Sequence, residues 1–468
     1  MCSCVLQVDC TFSIQLIDWS VMFAGPPPGS DFAWESTSST YHIADEDDTQ
    51  YGRPVVGHAM VNYEGSLIVW GGYSQCEDEE VHYRPTDQIY VLPAGIMTQS
   101  SVIKWIICDV SDMGAPPPTS GACAVLLHHF MVIFGGYVRH ATDQLQQQGH
   151  TSTLFMLDLK QGSWRTIGRR EGELIPTPRD KTTGWTHQQR CYFFGGYGPS
   201  VFDMDNPSLY LRRGGEFFAD NHDTFYWNNQ LLIYDDSAPK RWSVATTSGS
   251  IPSARAASSS TYLERRGCVL LFGGRHAGER LFDLYLLDLE TLIWTSVDVL
   301  GQSPCGRSWC TLTAVGSDSA LLYGGFSTDG LVLSDSWRIE ILTSRSERVV
   351  KGRWTRVNCL KEPAARLWHT AAFVDGLLFV CGGSDIPLSL AMTCSKVIRL
   401  RTSPPSLLAL CFTSLSHCLH DISILPDFLK NRFFWLLYLR SRFAVSPPDR
   451  ARFRMMQLRE VIAMSNLR

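Results

Sequence analysis

Val269–Leu270–Leu271–Phe272–Gly273–Gly274–Arg275 contains the pattern from which the fold can be predicted. Its four large apolar residues show no alternation and predict a strand that is buried on both faces. The paired glycines predict a turn at which a Cβ atom would clash. The same signature occurs five more times, at the glycine pairs Gly71–Gly72, Gly135–Gly136, Gly195–Gly196, Gly324–Gly325 and Gly382–Gly383. The sequence therefore predicts a repeat protein of six units.

Each unit contains further features in the same order. A turn with Pro or Arg, such as Pro178–Arg179, precedes the first apolar strand, and a strand that ends in Asp, such as Leu284–Asp288, follows the glycines. A single tryptophan then closes the unit, and these tryptophans are Trp105, Trp164, Trp242, Trp294 and Trp354. This pattern resembles the kelch repeat, in which twisted four-stranded blades stack around an axis and the Trp of one blade packs against its neighbour.

We therefore predict an all-β protein, with a six-bladed kelch β-propeller over residues 51–402 and a short C-terminal helical segment over residues 403–431. Residues 1–50 carry no repeat signature and are predicted to be a mostly disordered leader. Within the leader, residues 40–44 could supply a strand that closes the ring, since the sixth unit lacks its tryptophan. Residues 432–468 form a basic tail of unknown structure.

The composition excludes several classes of function. A net charge of −5 and a pI near 6.2 argue against nucleic acid as the main partner. No apolar run reaches the roughly 18 uninterrupted residues that a membrane span needs, so we expect no membrane contact. Most of the 15 cysteines stand singly inside apolar runs, which indicates reduced thiols. We expect a protein of the cytoplasm and nucleus without a cofactor or a metal site.

The region after the last repeat has a helical pattern. Leu407, Cys411 and Leu415 are four residues apart, which places them on one helix face, and Leu425–Pro426–Asp427–Phe428 follows. This arrangement resembles the elongin-binding box and cullin box of substrate receptors in cullin-2-type ubiquitin ligases. The resemblance implies elongin B/elongin C and cullin-2 with its RING subunit as partners. The implied elongin-binding residues are Leu407, Cys411 and Leu415, and the implied cullin-binding residues are Leu425, Pro426 and Phe428. The alternative is a helix that only packs on the propeller.

Arg275 distinguishes one unit from the other five. It stands at the position where the others carry Tyr73, Tyr137, Tyr197, Phe326 and Ser384. Arg280 follows five residues later. A guanidinium can donate two parallel, charge-assisted hydrogen bonds to a carboxylate, and it stays charged when it is buried. A single arginine here would more often be structural, but two together favour a carboxylate site.

Ser308 and Trp309 in the next unit complete a second resemblance. With the two arginines they resemble the pocket for C-terminal degrons in kelch domain-containing substrate receptors of cullin-2-type ubiquitin ligases. The resemblance implies that Arg275, Arg280 and Ser308 hold the free carboxylate of a substrate that ends in glycine. Other positions that match this pocket are Tyr73, Lys181, Tyr197, Trp227, Trp309 and Trp368. The insert between Tyr197 and Leu231 aligns poorly with the family and is expected to shape the pocket rim.

The predicted function is binding, without catalysis, by a substrate receptor of a ubiquitin ligase. Two alternatives remain. The chain could be a kelch scaffold that recruits no ligase, or a kelch-type oxidase, which would need His or Tyr metal ligands or an acid–base pair on the axis. We interpret His58, His369 and His128–His129 as structural residues, because each leads a blade or lies in a predicted hairpin.

Overall fold

The structure is a computed structural model that describes residues 55–75, 81–92, 94–97, 105–138, 149–200, 206–343, 349–357, 364–387 and 397–402. Within these ranges the chain is nearly all β, and its helical elements are a four-residue helix, Ala94–Met97, and the short 3-10 helices Pro207–Leu209 and Glu264–Arg266. The predicted leader, the helical segment with its elongin- and cullin-binding residues, and the basic tail lie outside the described residues.

Blades 1 and 2 have the same plan. The strands of blade 1 are β1 (Ala59–Tyr63), β2 (Ser66–Trp70), β3 (Tyr73–Gln75), β4 (Val81–Tyr83), β5 (Gln88–Leu92) and β6 (Ile106–Asp109). The strands of blade 2 are β7 (Thr119–Ser120), β8 (Cys123–Leu127), β9 (Phe130–Phe134), β10 (Tyr137–Val138), β11 (Gly149–His150), β12 (Leu154–Asp158) and β13 (Ser163–Ile167). Four strands of each blade form an antiparallel sheet, in the orders β1-β2-β5-β6 and β8-β9-β12-β13.

Blades 3 and 4 follow the same plan with additions. The strands of blade 3 are β14 (Thr183–His187), β15 (Arg190–Phe194), β16 (Tyr197–Pro199), β17 (Phe217–Ala219), β18 (Phe225–Asn228), β19 (Leu231–Tyr234) and β20 (Trp242–Val244). The strands of blade 4 are β21 (Ser248–Gly249), β22 (Ser259–Leu263), β23 (Cys268–Phe272), β24 (Arg275–His276), β25 (Glu279–Arg280), β26 (Leu284–Asp288) and β27 (Ile293–Ser296). The insert of blade 3 contributes the separate sheet β16-β18-β17, and β21 pairs with β27 in parallel.

Blades 5 and 6 complete the ring. The strands of blade 5 are β28 (Asp298–Leu300), β29 (Arg307–Ser308), β30 (Thr311–Ala314), β31 (Ser319–Ser327), β32 (Val332–Ile341) and β33 (Lys351–Arg356). The described strands of blade 6 are β34 (Thr370–Val374), β35 (Leu377–Cys381) and β36 (Ile398–Arg401). The first long strands of the blades, β1, β8, β14, β22, β30 and β34, each contact the next, and β34 contacts β1. The prediction of an all-β, six-bladed propeller is confirmed.

The glycine pairs join each blade to the next. In all six blades the second glycine donates its N–H to a backbone carbonyl that leads into the following blade, as from Gly274 to Arg307 at 2.9 Å. The last of these bonds, from Gly383 to Val55 at 2.8 Å, closes the ring. A Cβ atom at Gly273, where φ is +63°, would lie 2.6 Å from the Arg307 carbonyl oxygen. The predicted clash is therefore confirmed, and the group that a Cβ would meet belongs to the neighbouring blade.

The closing tryptophans pack between blades, as the sequence predicts. Trp164 contacts Trp70 of blade 1, with ring centroids 5.5 Å apart, and Trp294 contacts Phe194 of blade 3 at 5.3 Å. Trp354 contacts Phe272 of blade 4 at the same distance. In each case the partner is the apolar residue directly before a glycine pair, so the aromatic contact and the glycine hydrogen bond join the same two blades.

Buried arginines support the turns that lead into blades 3, 4 and 5. Arg255 donates two hydrogen bonds to Asp283, at 2.6 and 2.9 Å, and Arg307 donates two to Asp335, at 2.6 and 3.0 Å. Arg179 bonds to side-chain amides instead, including Asn228 Oδ1 at 2.6 Å. All three also donate to the carbonyl of the first glycine of their blade's pair. These guanidiniums therefore satisfy polar groups that the inter-blade contacts bury.

A belt of backbone hydrogen bonds surrounds the axis. The residues that form it lie two positions after the turns that lead into the blades. Six residues with left-handed backbone conformation, which we call the left-handed ring, occupy equivalent positions, with φ between +52° and +67°. They are Gly57, Gly121, Lys181, Ala257, Trp309 and Trp368. Each from Gly121 onward donates its N–H to the carbonyl of the preceding member, at 2.8–3.0 Å. Left-handed conformation is strained for residues other than glycine, so the belt holds four side chains in an orientation that an isolated turn would disfavour.

Two buried histidines join neighbouring blades, and this agrees with their interpretation as structural residues. His58 Nε2 and Thr370 Oγ1 share a hydrogen bond of 2.6 Å between blades 1 and 6. His369 Nε2 and Thr311 Oγ1 share one of 3.0 Å between blades 6 and 5. Burial disfavours the charged imidazolium and lowers the pKa of both histidines from 6.5 to about 3, with a smaller contribution from nearby cationic groups.

Acidification from pH 7 to pH 5 is therefore expected to destabilise the propeller. The unfolded chain binds protons at these histidines below pH 6.5, whereas the folded chain does not until about pH 3. Stability is thus full above pH 6.5 and falls as the pH drops towards 3, by about 2 kcal/mol per histidine at pH 5. Urea unfolding at both pH values measures this change. The double variant His58→Gln/His369→Gln should show a flatter pH dependence, and an unchanged dependence would contradict the assignment.

Candidate functional site

A cavity of about 390 Å³ lies where blades 3, 4 and 5 meet the left-handed ring. Its volume is within the range of ligand pockets. Six residues that the sequence singles out line it together: Lys181, Tyr197, Trp227, Arg275, Ser308 and Trp309. The hairpin of β24 and β25 places Arg275 directly opposite Arg280, and β29 places Ser308 one residue before the ring member Trp309. The repeat geometry thus brings side chains from three blades to one end of the axis.

Ser308 lines the cavity, and Arg280 is hydrogen-bonded to it at the border of the cavity. Arg280 Nε donates to Ser308 Oγ at 3.0 Å, and its guanidinium carbon lies 4.5 Å from the centre of the Phe326 ring. Ser308 is buried, with an exposed fraction of 1%. The hydrogen bond and the ring contact fix the orientation of the guanidinium, while its terminal nitrogens keep donors for another group.

Arg275 supplies the second cation. Its side chain is exposed, and its Nε donates to the carbonyl of Ala277 at 2.9 Å. Burial, and then the positive charge of Arg275, lower the pKa of Arg280 from its ordinary value. Among the described residues neither guanidinium is paired with a carboxylate, in contrast to Arg255 and Arg307. An anion between the two arginines would relieve the repulsion between their positive charges. It would also offset the energetic cost of burying the charge of Arg280.

Stacked aromatic rings form the adjoining wall. Trp309 and Trp368 stack with centroids 5.5 Å apart, and Tyr73 meets the edge of Trp368 at 6.1 Å. A Cβ atom at Gly57 would lie 3.0 Å from Trp368 Cζ2. The glycine in the left-handed ring therefore makes room for this indole. On the other side, Tyr197 contacts Trp227 at 4.8 Å.

Lys181 is a compensated cation. Its ammonium group is paired with the buried carboxylate of Asp180, which His150 also approaches at 3.4 Å. Burial opposes the ionisation of Asp180, but Lys181 and then His150 outweigh it and lower the pKa of this carboxyl group. The uncompensated positive charge of the cavity therefore comes from Arg275 and Arg280.

Three of the predicted site residues border the cavity instead of lining it. Arg280 donates a hydrogen bond to the lining residue Ser308, Trp368 stacks on Trp309, and Tyr73 contacts Trp368. Among the lining residues that the sequence did not single out, three belong to the insert of blade 3: Asp220, Asn221 and His222. The expectation that the insert contributes to the rim is confirmed, but its poor alignment with the family left no signal for the individual residues.

Metal-binding clusters and membrane-spanning helices are both absent from the described part of the chain. No group of three or more His, Cys, Asp or Glu side chains there is arranged to hold a metal ion. No helix within the same ranges has the length and apolar character needed to cross a membrane.

A ring of six antiparallel blades that are joined through glycine pairs, with a side-chain-lined cavity at one end of the axis, defines a kelch-type β-propeller. The family model described as "KLHDC2/KLHL20/DRC7 Kelch-repeats domain" matches residues 57–211 and 204–403. The chain belongs to this kelch family.

Known relatives extend the likeness over most of the chain. Kelch domain-containing protein 1 of Mus musculus is 32% identical over 408 residues, which cover 81% of this chain and 90% of the relative. Kelch domain-containing protein 2 of Bos taurus is 29% identical over 399 residues, which cover 78% and 89%. The solved structure titled "Structure of YjhT" has a TM-score of 0.53 at 15% identity and covers 74% of this chain and 94% of its own, which supports the fold alone. The resemblance that the sequence indicates is confirmed at the level of the family.

Proposed function

We propose that this protein is the substrate-recognition subunit of a cullin-RING E3 ubiquitin ligase. In this proposal it binds the free C-terminus of target proteins that end in glycine, as a diglycine-type degron. The observation that carries the proposal is that Arg275 and Ser308 line one cavity and that Arg280 is hydrogen-bonded to Ser308, with no carboxylate paired to either guanidinium among the described residues. A carboxylate is an anion whose geometry this planar, charged donor set fits.

Binding proceeds in this proposal without any change of covalent bonds. A chain end enters the cavity, and its carboxylate accepts hydrogen bonds from Arg275, Arg280 and the hydroxyl of Ser308. The rings of Tyr197, Trp227 and Trp309 occupy the walls, so residues without side chains fit close to the terminus and bulkier residues clash. Backbone recognition of a free terminus is a known mode of peptide binding.

The C-terminal region would connect the bound substrate to the ligase. We assign elongin B/elongin C binding to Leu407, Cys411 and Leu415, and cullin-2 binding to Leu425, Pro426 and Phe428, on the sequence pattern alone. The second candidate function is a kelch scaffold that recruits no ligase. Co-purification of elongin B/elongin C with the full chain separates the two functions, since a scaffold would retain peptide binding and recover neither elongin.

Fluorescence polarisation with a peptide that ends in Gly–Gly–COOH tests the carboxylate site. We expect submicromolar binding of this peptide and none of its C-terminal amide, because the amide has the same shape but no negative charge for the guanidiniums. A peptide that ends in Gly–Gly–Leu–COOH is the matched control for the glycine preference and should bind weakly. Equal binding of acid and amide would refute the carboxylate clamp.

A further inference from the structure

The cavity has a negative side as well as a positive one. Asp220, from the insert of blade 3, lines the cavity together with Arg275 and Tyr197. Asp220 Oδ2 accepts a hydrogen bond of 3.1 Å from the Tyr197 hydroxyl, so the acid stands at the polar end of a ring that forms the cavity wall. Among the described residues Asp220 forms no ion pair. A ligand in the cavity therefore meets the guanidinium of Arg275 and the carboxylate of Asp220, and neither is ion-paired among the described residues.

The backbone holds Asp220 in a fixed position. Its Oδ1 accepts hydrogen bonds from the N–H groups of His222, Thr224 and Phe225, at 3.1, 3.1 and 3.4 Å. Burial opposes ionisation of this carboxyl group, but these backbone donors and Tyr197 outweigh it and hold its pKa below the ordinary value. Asp220 is thus negative at neutral pH. Because Oδ1 takes the backbone bonds, Oδ2 keeps capacity to accept a bond from a ligand.

We propose that Asp220 makes the cavity selective for chain ends that carry a Lys or Arg side chain shortly before the terminal glycines. This inference rests on the proposed function. A chain whose terminal carboxylate is held by Arg275 and Arg280 must leave the cavity past its other walls. Extended peptide advances by about 3.3–3.6 Å per residue, so the residues preceding the glycines pass the rim that Asp220 occupies. There the carboxylate attracts a basic side chain and repels an acidic one.

The local charges favour this selection. Lys181, the other cation in the cavity, is already paired with Asp180 and does not neutralise Asp220. The neighbouring lining residue, Asn221, is uncharged. Because the rim is partly open to solvent, the effect of one charge pair is modest. The charge of Asp220, however, strengthens binding of a basic peptide and weakens binding of an acidic one. The difference in affinity between the two peptides is therefore roughly twice the effect on either.

The test is fluorescence polarisation with the full chain and decapeptides that end in Gly–Gly–COOH. Lys, Gln or Glu is placed in turn at the third, fourth, fifth and sixth position from the end. For the wild type we expect at least one position at which the Lys peptide binds about tenfold more tightly than the Glu peptide, with Gln between them. In Asp220→Asn, which preserves shape and the Oδ1 acceptor, this ratio should fall to about twofold or less.

Asp223→Asn is the matched control. It removes the same charge from the same loop, but Asp223 is exposed and is not among the residues that line the cavity. Its Lys-to-Glu ratio should equal that of the wild type. A ratio that persists in Asp220→Asn, or Lys and Glu peptides that bind alike at all four positions, would overturn this inference while leaving the proposed function intact. Failure of every Gly–Gly–COOH peptide to bind would overturn the proposed function and this inference together.

Discussion

Arg275→Ala is expected to weaken binding of a Gly–Gly–COOH peptide by about 2–5 kcal/mol, which is roughly 30-fold to several thousand-fold in Kd. The variant removes one of two guanidiniums that have no carboxylate partner among the described residues, and it leaves the peptide carboxylate partly unsatisfied in the cavity. Fluorescence polarisation against the wild type measures the loss. Folding should be preserved, because the Arg275 side chain is exposed and makes one hydrogen bond, to the Ala277 carbonyl.

Two further variants separate a directional clamp from general electrostatic attraction. Arg275→Lys keeps the charge but loses the planar fork, so it should recover only part of the affinity. Arg353→Ala removes an equal charge from an exposed position on β33 of blade 5 and should bind like the wild type. If Arg275→Ala also bound like the wild type, Arg275 would have no part in carboxylate recognition.

Arg307→Met is expected to lower the free energy of unfolding by about 3–5 kcal/mol, the typical effect of breaking a buried ion pair. Arg307 is fully buried and donates two hydrogen bonds to Asp335 and one to the Gly324 carbonyl. Its loss would leave both groups without this donor at the junction of blades 5 and 6. Urea unfolding followed by tryptophan fluorescence measures the change.

Two control variants test whether the effect of Arg307→Met comes from the loss of its ion pair. Arg353→Met makes the same substitution at an exposed site and should leave the free energy of unfolding within about 0.5 kcal/mol of the wild type. Arg307→Met/Asp335→Leu removes both charges and should recover part of the stability, because no half-buried carboxylate is left without its guanidinium partner. If Arg307→Met were as stable as the wild type, the ion pair of Arg307 and Asp335 would contribute nothing to the free energy of unfolding.

The periodic features of the sequence were sufficient to predict the fold. Six apolar runs with glycine pairs indicate six blades, and the closing tryptophans indicate contacts between neighbours, because both features repeat in one order. The repeat pattern alone did not reveal which group a side chain at the glycine positions would meet. Their partner is the carbonyl of a residue in the next blade, some 34 positions away in the case of Gly273 and Arg307, and no local pattern identifies that contact.

The candidate site was predictable only in part, because some of its residues lie outside the repeat pattern. Arg275 could be identified because it breaks the repeat at a position that is aromatic in four of the other five units. Lys181, Trp309 and Trp368 came from the family resemblance, and their shared left-handed backbone conformation was not foreseen. Asp220 lies in an insert that matches no other unit, so neither the period nor the family pointed to it. Only the folding of β16, β17 and β18 brings it to the cavity.

The left-handed ring has one backbone conformation and four kinds of side chain: glycine twice, lysine, alanine and tryptophan twice. The repeats therefore share their backbone conformation at this position but not their side chains. Because the belt of hydrogen bonds is made by backbone groups, it persists around the axis although the side chains on the ring differ. A scaffold whose backbone repeats six times therefore carries an asymmetric set of side chains around its axis.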